Sequence, residues 1–316
     1  MLPFAKLVSF LDILTPLFIT ISAGYAATRY GLIPREGIRY LGLYVIKIAM
    51  PCMLFKALSE RPFQEIFKPD YIAIYALGSL FTLILAIFFS FYIRKKNFSI
   101  STVMAMGSSF SNSGYIGYPI VTQILGTAAI VPVALTLFVE NAFMLPIALA
   151  LASSTAGDSS ILRSVSRSII ALAKNPIIWG IILGICISAF NLNTPDALLT
   201  VVDKFGSTSG SVALFTIGGS LVGLQLKGMR TDISQITFGK LFIHPSVILL
   251  FLMLTPNMPS LYQNAAVLLA CMPMMSIYPI IGAQYGIAQL CATALLGATL
   301  LSFFSISWWG FSLAVL

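Results

Sequence analysis

Charge is scarce in this 316-residue chain: 10 acidic and 18 basic side chains make up 9% of it, with a single histidine. An ordinary soluble domain carries about 25% charged residues. Here 58% of residues are hydrophobic and mean hydropathy is +0.96, more apolar surface than a soluble fold of this length could bury. Lipid must be the solvent. The lone histidine and scattered acids offer no clustered carboxylates, metal-ligand set or activated nucleophile, which argues against a membrane-embedded enzyme. The four cysteines, Cys52, Cys186, Cys271 and Cys291, sit within apolar runs without the close spacing of a metal site, so they read as small buried residues with neither disulfides nor metal. No glycine-rich loop ends in Gly-Lys-Ser/Thr, which speaks against ATP-driven transport by this chain, and no cofactor is expected. No small-residue cleavage site follows the first apolar stretch, so that stretch is expected to be the first span, with Asp12 a helix-start residue among lipid headgroups.

What the chain does have is apolar runs. A hydrocarbon core of about 30 Å takes roughly 20 residues of helix. Cut at that length, the sequence gives ten segments: 10–29, 37–58, 71–93, 101–125, 128–152, 176–190, 205–225, 233–254, 261–285 and 288–311. The net charge of +8 comes in twos and threes between these segments, which marks topology and not a nucleic-acid surface. Loops after odd-numbered spans hold Arg29, Arg35, Arg39, Arg94, Lys95, Lys96, Arg163, Arg167, Lys174, Lys227 and Arg230, against Lys6, Arg61 and Lys68 opposite. Basic loops face the cytoplasm, so both termini are expected outside, in a multi-pass protein of the cell inner membrane. Trp308 and Trp309 then fall at the outer interface as anchors.

A shift of 160 residues superposes Pro16 on Pro176, Gly24 on Gly184, Leu54-Phe55 on Leu214-Phe215, Tyr118-Pro119-Ile120 on Tyr278-Pro279-Ile280, and Gly126 on Gly286. Each pair occupies the same place in corresponding spans of two five-helix halves, 1–155 and 176–316, with a cytoplasmic linker over 156–175. Five is odd, so the second half starts on the opposite side of the membrane and the repeat is inverted, as in alternating-access transporters. The expected fold is therefore all-α and integral to the membrane, with ten transmembrane helices in two inverted repeats. The fourth and ninth helices are broken. In the fourth, Ser111, Asn112, Ser113, Gly114, Gly117, Tyr118 and Pro119 interrupt an apolar helix; in the ninth, Pro273, Ser276, Tyr278 and Pro279 do so at matching depth. Non-helical backbone at that depth is tolerated only where protein or a water-filled cavity satisfies it. The second half-helices are expected to begin near Pro119 and Pro279, presenting two N-termini to an anion. The alternative is two proline-kinked helices that pack through small residues.

Lys47, Lys56, Glu140, Lys240 and His244 lie within predicted spans, where an ionised side chain needs a partner or a cavity. Lys47, one turn before Pro51, suits either an anion contact or a structural partner of Glu140. Lys56 and Lys240, nearer span ends, read as snorkelling. Glu140 and His244 are candidates for proton coupling, although a lone histidine before a proline is more often a packing residue.

The stretches Ala49-Met50-Pro51-Cys52-Met53-Leu54-Phe55, Ser111 to Pro119, Lys174-Asn175-Pro176, Leu214-Phe215-Thr216-Ile217-Gly218-Gly219, and Met272-Pro273 with Gln284-Tyr285-Gly286 occur in the order found in the auxin efflux carrier family. The chain resembles that family, which includes plant auxin exporters and bacterial carriers of malonate and related organic acids. The resemblance implies crossing fourth and ninth helices and an elevator-like movement. In it, a core from spans 3–5 and 8–10 moves against a scaffold from spans 1, 2, 6 and 7, whose surface offers a homodimer contact. It also implies a small organic anion as substrate, with Asn112, seven residues before Pro119, as the contact that plant exporters make through asparagine. Ser276 and Ile277 stand where many relatives have asparagine, and the short central loop is closer to bacterial members. A ligand sensor on the same fold is the other binding-protein reading; it would need a signalling domain, and this chain ends just after its last predicted span.

Overall fold

The computed structural model describes residues 2–154, 170, 173–223 and 230–315, with side chains from 15 to 312 within those ranges. Most of the predicted linker, including Arg163 and Arg167, lies outside the described residues, as do Lys227 and the side chains of Lys6 and Asp12. The described residues are helical, with no strand among them. In chain order the helices are α1 (Leu2–Arg29), α2 (Arg35–Ser59), α3 (Pro69–Phe88, extended by a π turn Phe89–Ile93), α4 (Phe98–Ser109), α5 (a π turn Ser113–Gly117 running into Tyr118–Leu125) and α6 (Thr127–Ser153). There follow α7 (Pro176–Ala189), α8 (Asp196–Gly206), α9 (Ser209–Ser220), α10 (Arg230–Leu252), α11 (Ser260–Ala270), α12 (Tyr278–Gln284) and α13 (Ala288–Val315). Helix covers each of the ten predicted segments in whole or in part. Among the described residues, five stretches are long and apolar enough to cross a membrane: Arg35–Ser59, Phe63–Ile93, Thr127–Ser153, Arg230–Leu252 and Ala288–Ser312. The seventh segment differs from its prediction: helix starts at Asp196, after Pro195, stops at Gly206 and resumes over Ser209–Ser220. A carboxylate in a first helical turn faces the exposed amides there, so Asp196 suits that start.

Prolines accompany four of the five π turns among the described residues, all but Phe89–Ile93. A proline inside a helix lacks the donor for the carbonyl four residues back and clashes with it. Widening the preceding turn by one residue relieves both, which is what a π turn does. The turns Val45–Ala49, Ser113–Gly117, Glu140–Met144 and Gly239–Ile243 are each followed two residues later by a proline: Pro51, Pro119, Pro146 and Pro245. Pro245 cannot donate to the Leu241 carbonyl, and the Trp309 indole N–H does so instead, at 3.0 Å. Trp309 is thus buried in packing, in contrast to the interfacial role expected of it, while Trp308 is exposed.

The helices pack as two compact units. One comprises residues 1–69, 114–138 and 173–223; the other comprises 70–113, 139–172 and 224–316. In the first unit, α1 packs along α9 and α7 along the second half of α2. Both contacts depend on glycine. A Cβ at Gly24 would collide with the Phe215 carbonyl, and one at Gly184 would stand 2.9 Å from the Phe55 carbonyl. Gly24 and Gly184, and likewise Phe55 and Phe215, are 160 residues apart, so the two contacts exchange under the repeat offset. Close backbone approach through small residues is how helices associate in lipid, where no hydrophobic drive operates. Gly126 and Gly286, the equivalent pair that ends α5 and follows α12, both hold positive φ, at 85° and 74°.

Gly218 faces the Ile21 carbonyl as closely as Gly24 faces Phe215, whereas a Cβ at Gly210 would make ordinary contacts of 3.5 and 3.6 Å. Gly218→Ala should therefore destabilise the protein by about 1–3 kcal/mol, as overpacking does. Gly210→Ala should leave the melting temperature of the detergent-purified protein unchanged; equal shifts in both would contradict this packing.

Candidate functional site

The second unit contains both helix interruptions. α4 is started by Asn97, whose side chain accepts from the Ile100 amide at 2.7 Å, and it ends at Ser109. Residues 110–112 are non-helical, and helix resumes at Ser113. This corrects the expected start near Pro119, which lies inside the resumed helix. The break sits earlier because its amides are satisfied from elsewhere: Ser111 N donates to Glu140 Oε1 at 3.2 Å and Asn112 N to the Pro273 carbonyl at 2.8 Å. The second interruption spans 271–277, and α12 begins at Tyr278 with Pro279 in its first turn, as expected.

Two hydrogen bonds join the interruptions through one residue. Besides its backbone bond to Pro273, Asn112 donates from Nδ2 to Ser276 Oγ at 2.9 Å and is itself buried. Around them lies a chain of ionisable and hydroxyl groups. Glu140 Oε1 accepts from Ser113 Oγ at 2.8 Å and, at a longer 3.4 Å, from Tyr75. Lys240 Nζ donates to Ser111 Oγ at 2.8 Å, to His244 Nδ1 at 2.8 Å and to the Ala270 carbonyl. An ammonium has three donors, and here each has an acceptor. With Lys240 donating, His244 accepts at Nδ1 and carries its proton on Nε2, which donates to Ser79 Oγ at 3.0 Å. Ser111 is the shared member, its amide on Glu140 and its hydroxyl on Lys240.

The structure thus brings together Ser111, Asn112, Ser113, Ser276, Glu140 and His244 among the predicted site residues. Tyr278 is also buried in this unit, its ring against Gly107, where a Cβ would meet Tyr278 Oη at 2.6 Å. Pro279, beside it, is half-buried. Gly114, Tyr118, Pro119, Pro51 and Lys47 belong to the first unit. There a Cβ on Gly114 would meet the Met50 side chain at 2.8 Å, and the Cα of Pro51 lies 2.9 Å from a Cβ built on Gly180. Tyr118 is half-buried and Pro119 buried, whereas Lys47 is exposed.

Lys240 is the residue that sequence reasoning missed. It does not snorkel: it is 0% exposed, because α10 begins at Arg230 and places it about 15 Å along the helix. The readable signal was its spacing to His244, which puts both on one helical face. Lys56 also differs from expectation, forming a 2.7 Å ion pair with the half-exposed Asp203 beside a cavity of about 590 Å3 in the first unit.

Residues 9–310 match the family described as Membrane transport protein. The chain is 29% identical over 290 residues to a Rhizobium meliloti protein named "Putative malonate transporter", covering 91% of this chain and 90% of that one. It is 23% identical over 300 residues to "Uncharacterized transporter YfdV" of Escherichia coli K12, covering 93% and 94%. It is 24% identical over 316 residues to "Uncharacterized transporter MJ1031" of Methanocaldococcus jannaschii, covering 96% and 98%.

Removing one partner from a buried polar-ionic network leaves the other unsatisfied, at a cost of about 3–5 kcal/mol. Glu140→Ala and Lys240→Ala should each destabilise by that order, and the double variant by clearly less than the sum, since both act through Ser111. Thermal unfolding of the four proteins checks this. Strict additivity would show that the two groups do not share a network.

Proposed function

Because the chain belongs to the auxin efflux carrier family of membrane transport proteins, we propose that it is a secondary transporter of a small organic anion, a mono- or dicarboxylate of malonate-like size. The observation that carries this reading is Asn112, which ties both helix interruptions together through its backbone and its side chain. A carboxylate can exchange partners with Asn112 and Ser276, taking hydrogen bonds that they otherwise make to each other. Neutral donors bind an anion without leaving a fixed charge stranded when it departs, which favours movement of both loaded and empty protein. The fourth-span helix start is already served internally, since Glu140 accepts from Ser111 and Ser113 there. The anion therefore sits on the Asn112–Ser276 side, toward Tyr278 and Pro279. The name of the Rhizobium relative supports a dicarboxylate.

Transport proceeds by an elevator movement of a core from spans 3–5 and 8–10 against a scaffold from spans 1, 2, 6 and 7, with crossing fourth and ninth helices in two inverted repeats. The separate packing of the chain into two units supports two bodies, although residues 114–138 of the fourth and fifth spans pack with spans 1, 2, 6 and 7 and not with the rest of the proposed core, and the exchange of the Gly24–Phe215 and Gly184–Phe55 contacts under one offset supports the repeat. Glu140 and His244 are the proposed proton-coupling groups, and the scaffold surface is the proposed homodimer contact. The protein lies in the inner membrane with both termini outside. On that topology, Leu192→Cys in intact cells should react with an impermeant thiol reagent and Tyr30→Cys should not; the reverse pattern would invert the orientation.

The site is tested by binding of a panel of carboxylates, amines and neutral solutes to the purified protein. Carboxylates should bind in preference, and Asn112→Ala should weaken them about tenfold, the value of one lost hydrogen bond to a charged group, with the helical content retained. Normal carboxylate binding by Asn112→Ala, or preference for cations, would refute the assignment.

A further inference from the structure

The second unit contains a groove between α3 and α10 that the transport reading does not use. Its volume is about 330 Å3, and its walls include Thr82, Ala86, Phe89, Gln235, Gly239 and Ile243. Along the helices the groove runs from Gln235 to Ile243 and from Ile93 back to Thr82, about 12 and 16 Å at helical rise. One leaflet of hydrocarbon is about 15 Å deep, half of a core of about 30 Å. Phe88, Phe89 and Ile93 at its edge are 52%, 39% and 57% exposed, so the groove opens on the surface of this unit.

Its upper end is polar, then cationic. Gln235 Nε2 donates to Ser90 Oγ at 2.6 Å, a polar collar between the apolar slot and the basic residues, where a lipid's glycerol esters would lie if its chain filled the slot. Just beyond are Arg94, Lys95, Lys96 and Arg230, four cations against the single Asp232, which accepts from Arg94 at 3.0 Å and from Lys96 at 2.8 Å. Lys95 holds φ at 56°, the left-handed region where glycine is the easier residue. The reversal there sends the Lys96 amide back onto the Ser90 carbonyl at 3.1 Å, wrapping the basic run over the end of α3.

We propose that this groove binds one anionic phospholipid, with an acyl chain along the α3–α10 seam and its phosphate among Arg94, Lys95, Lys96 and Arg230. Apolar slot, ester-level amide and cationic rim follow each other in the order of a lipid's own parts, and basic clusters at helix ends recruit anionic headgroups. A soluble anion would have no use for the apolar length, and a zwitterionic lipid none for the excess of positive charge.

Native mass spectrometry of the full-length protein in detergent, titrated with phosphatidylglycerol or with phosphatidylcholine of the same chains, tests the proposal. The wild type should retain phosphatidylglycerol about tenfold more tightly. Ala86→Trp, which fills the slot, should lose that tight equivalent. The double variant Lys95→Gln/Arg230→Gln changes two charges at the rim and should keep a lipid but lose the preference. If Ala86→Trp fails to accumulate, the charge variant alone decides. Equal retention of the two lipids by the wild type, tight phosphatidylglycerol on Ala86→Trp, or an undiminished preference in the charge variant would overturn it.

Discussion

A buried ammonium, with an acceptor for each of its three donors, holds together the part of this protein that departs from regular helix. Lys240 reaches Ser111 in the first interruption and the carbonyl of Ala270 at the edge of the second. In hydrocarbon an unsatisfied backbone group costs several kcal/mol, so two unwound segments at membrane depth persist only if such partners exist. Glu140 serves the amide of Ser111, Asn112 binds Pro273 and Ser276, and Lys240 links both ends. The positive and negative groups stay buried together because Ser111 mediates between them. Without this network the interruptions would be drawn toward straight helix, and the segment that binds substrate in our reading would not exist.

Much of this was legible in the sequence, for a physical reason. Proline is a strong mark in a membrane helix, since no water is present to replace the lost donor. Pro119, Pro279 and the polar residues before them therefore marked the two interruptions, whereas Gly24, Gly184, Gly126 and Gly286 were legible only as pairs of the repeat, and the structure makes the first two close approaches and the last two positive-φ positions. What proline could not reveal was where helix resumes. The fourth-span break lies at 110–112, ahead of Pro119, because side-chain acceptors from Glu140 and the carbonyl of Pro273 reach those amides, and these partners are distant in sequence. The same limit hid Lys240. Its distance from the predicted span end suggested a headgroup location, and only tertiary packing shows three acceptors converging on it. Trp309 was misread likewise, since the carbonyl it satisfies is exposed by a proline in another helix.

Two groups of features then serve separate tasks. Small residues, such as Gly24, Gly184 and Gly218, fix helix against helix in the first unit, where the side chains contribute little chemistry. The second unit collects the buried ionisable groups. This segregation suits a carrier whose polar site must be stable in lipid yet release its ligand: in our reading Lys240 and the acceptors around it hold the architecture, and the side chains of Asn112 and Ser276 exchange with a carboxylate.

Counterflow in proteoliposomes tests the central claim most directly. Vesicles containing the purified protein are loaded with an unlabelled dicarboxylate such as malonate and diluted into the labelled acid. The account predicts transient accumulation of label that requires the internal carboxylate and is lost in Asn112→Ala. Uptake that is indifferent to internal carboxylate, or that persists unchanged in Asn112→Ala, would contradict it.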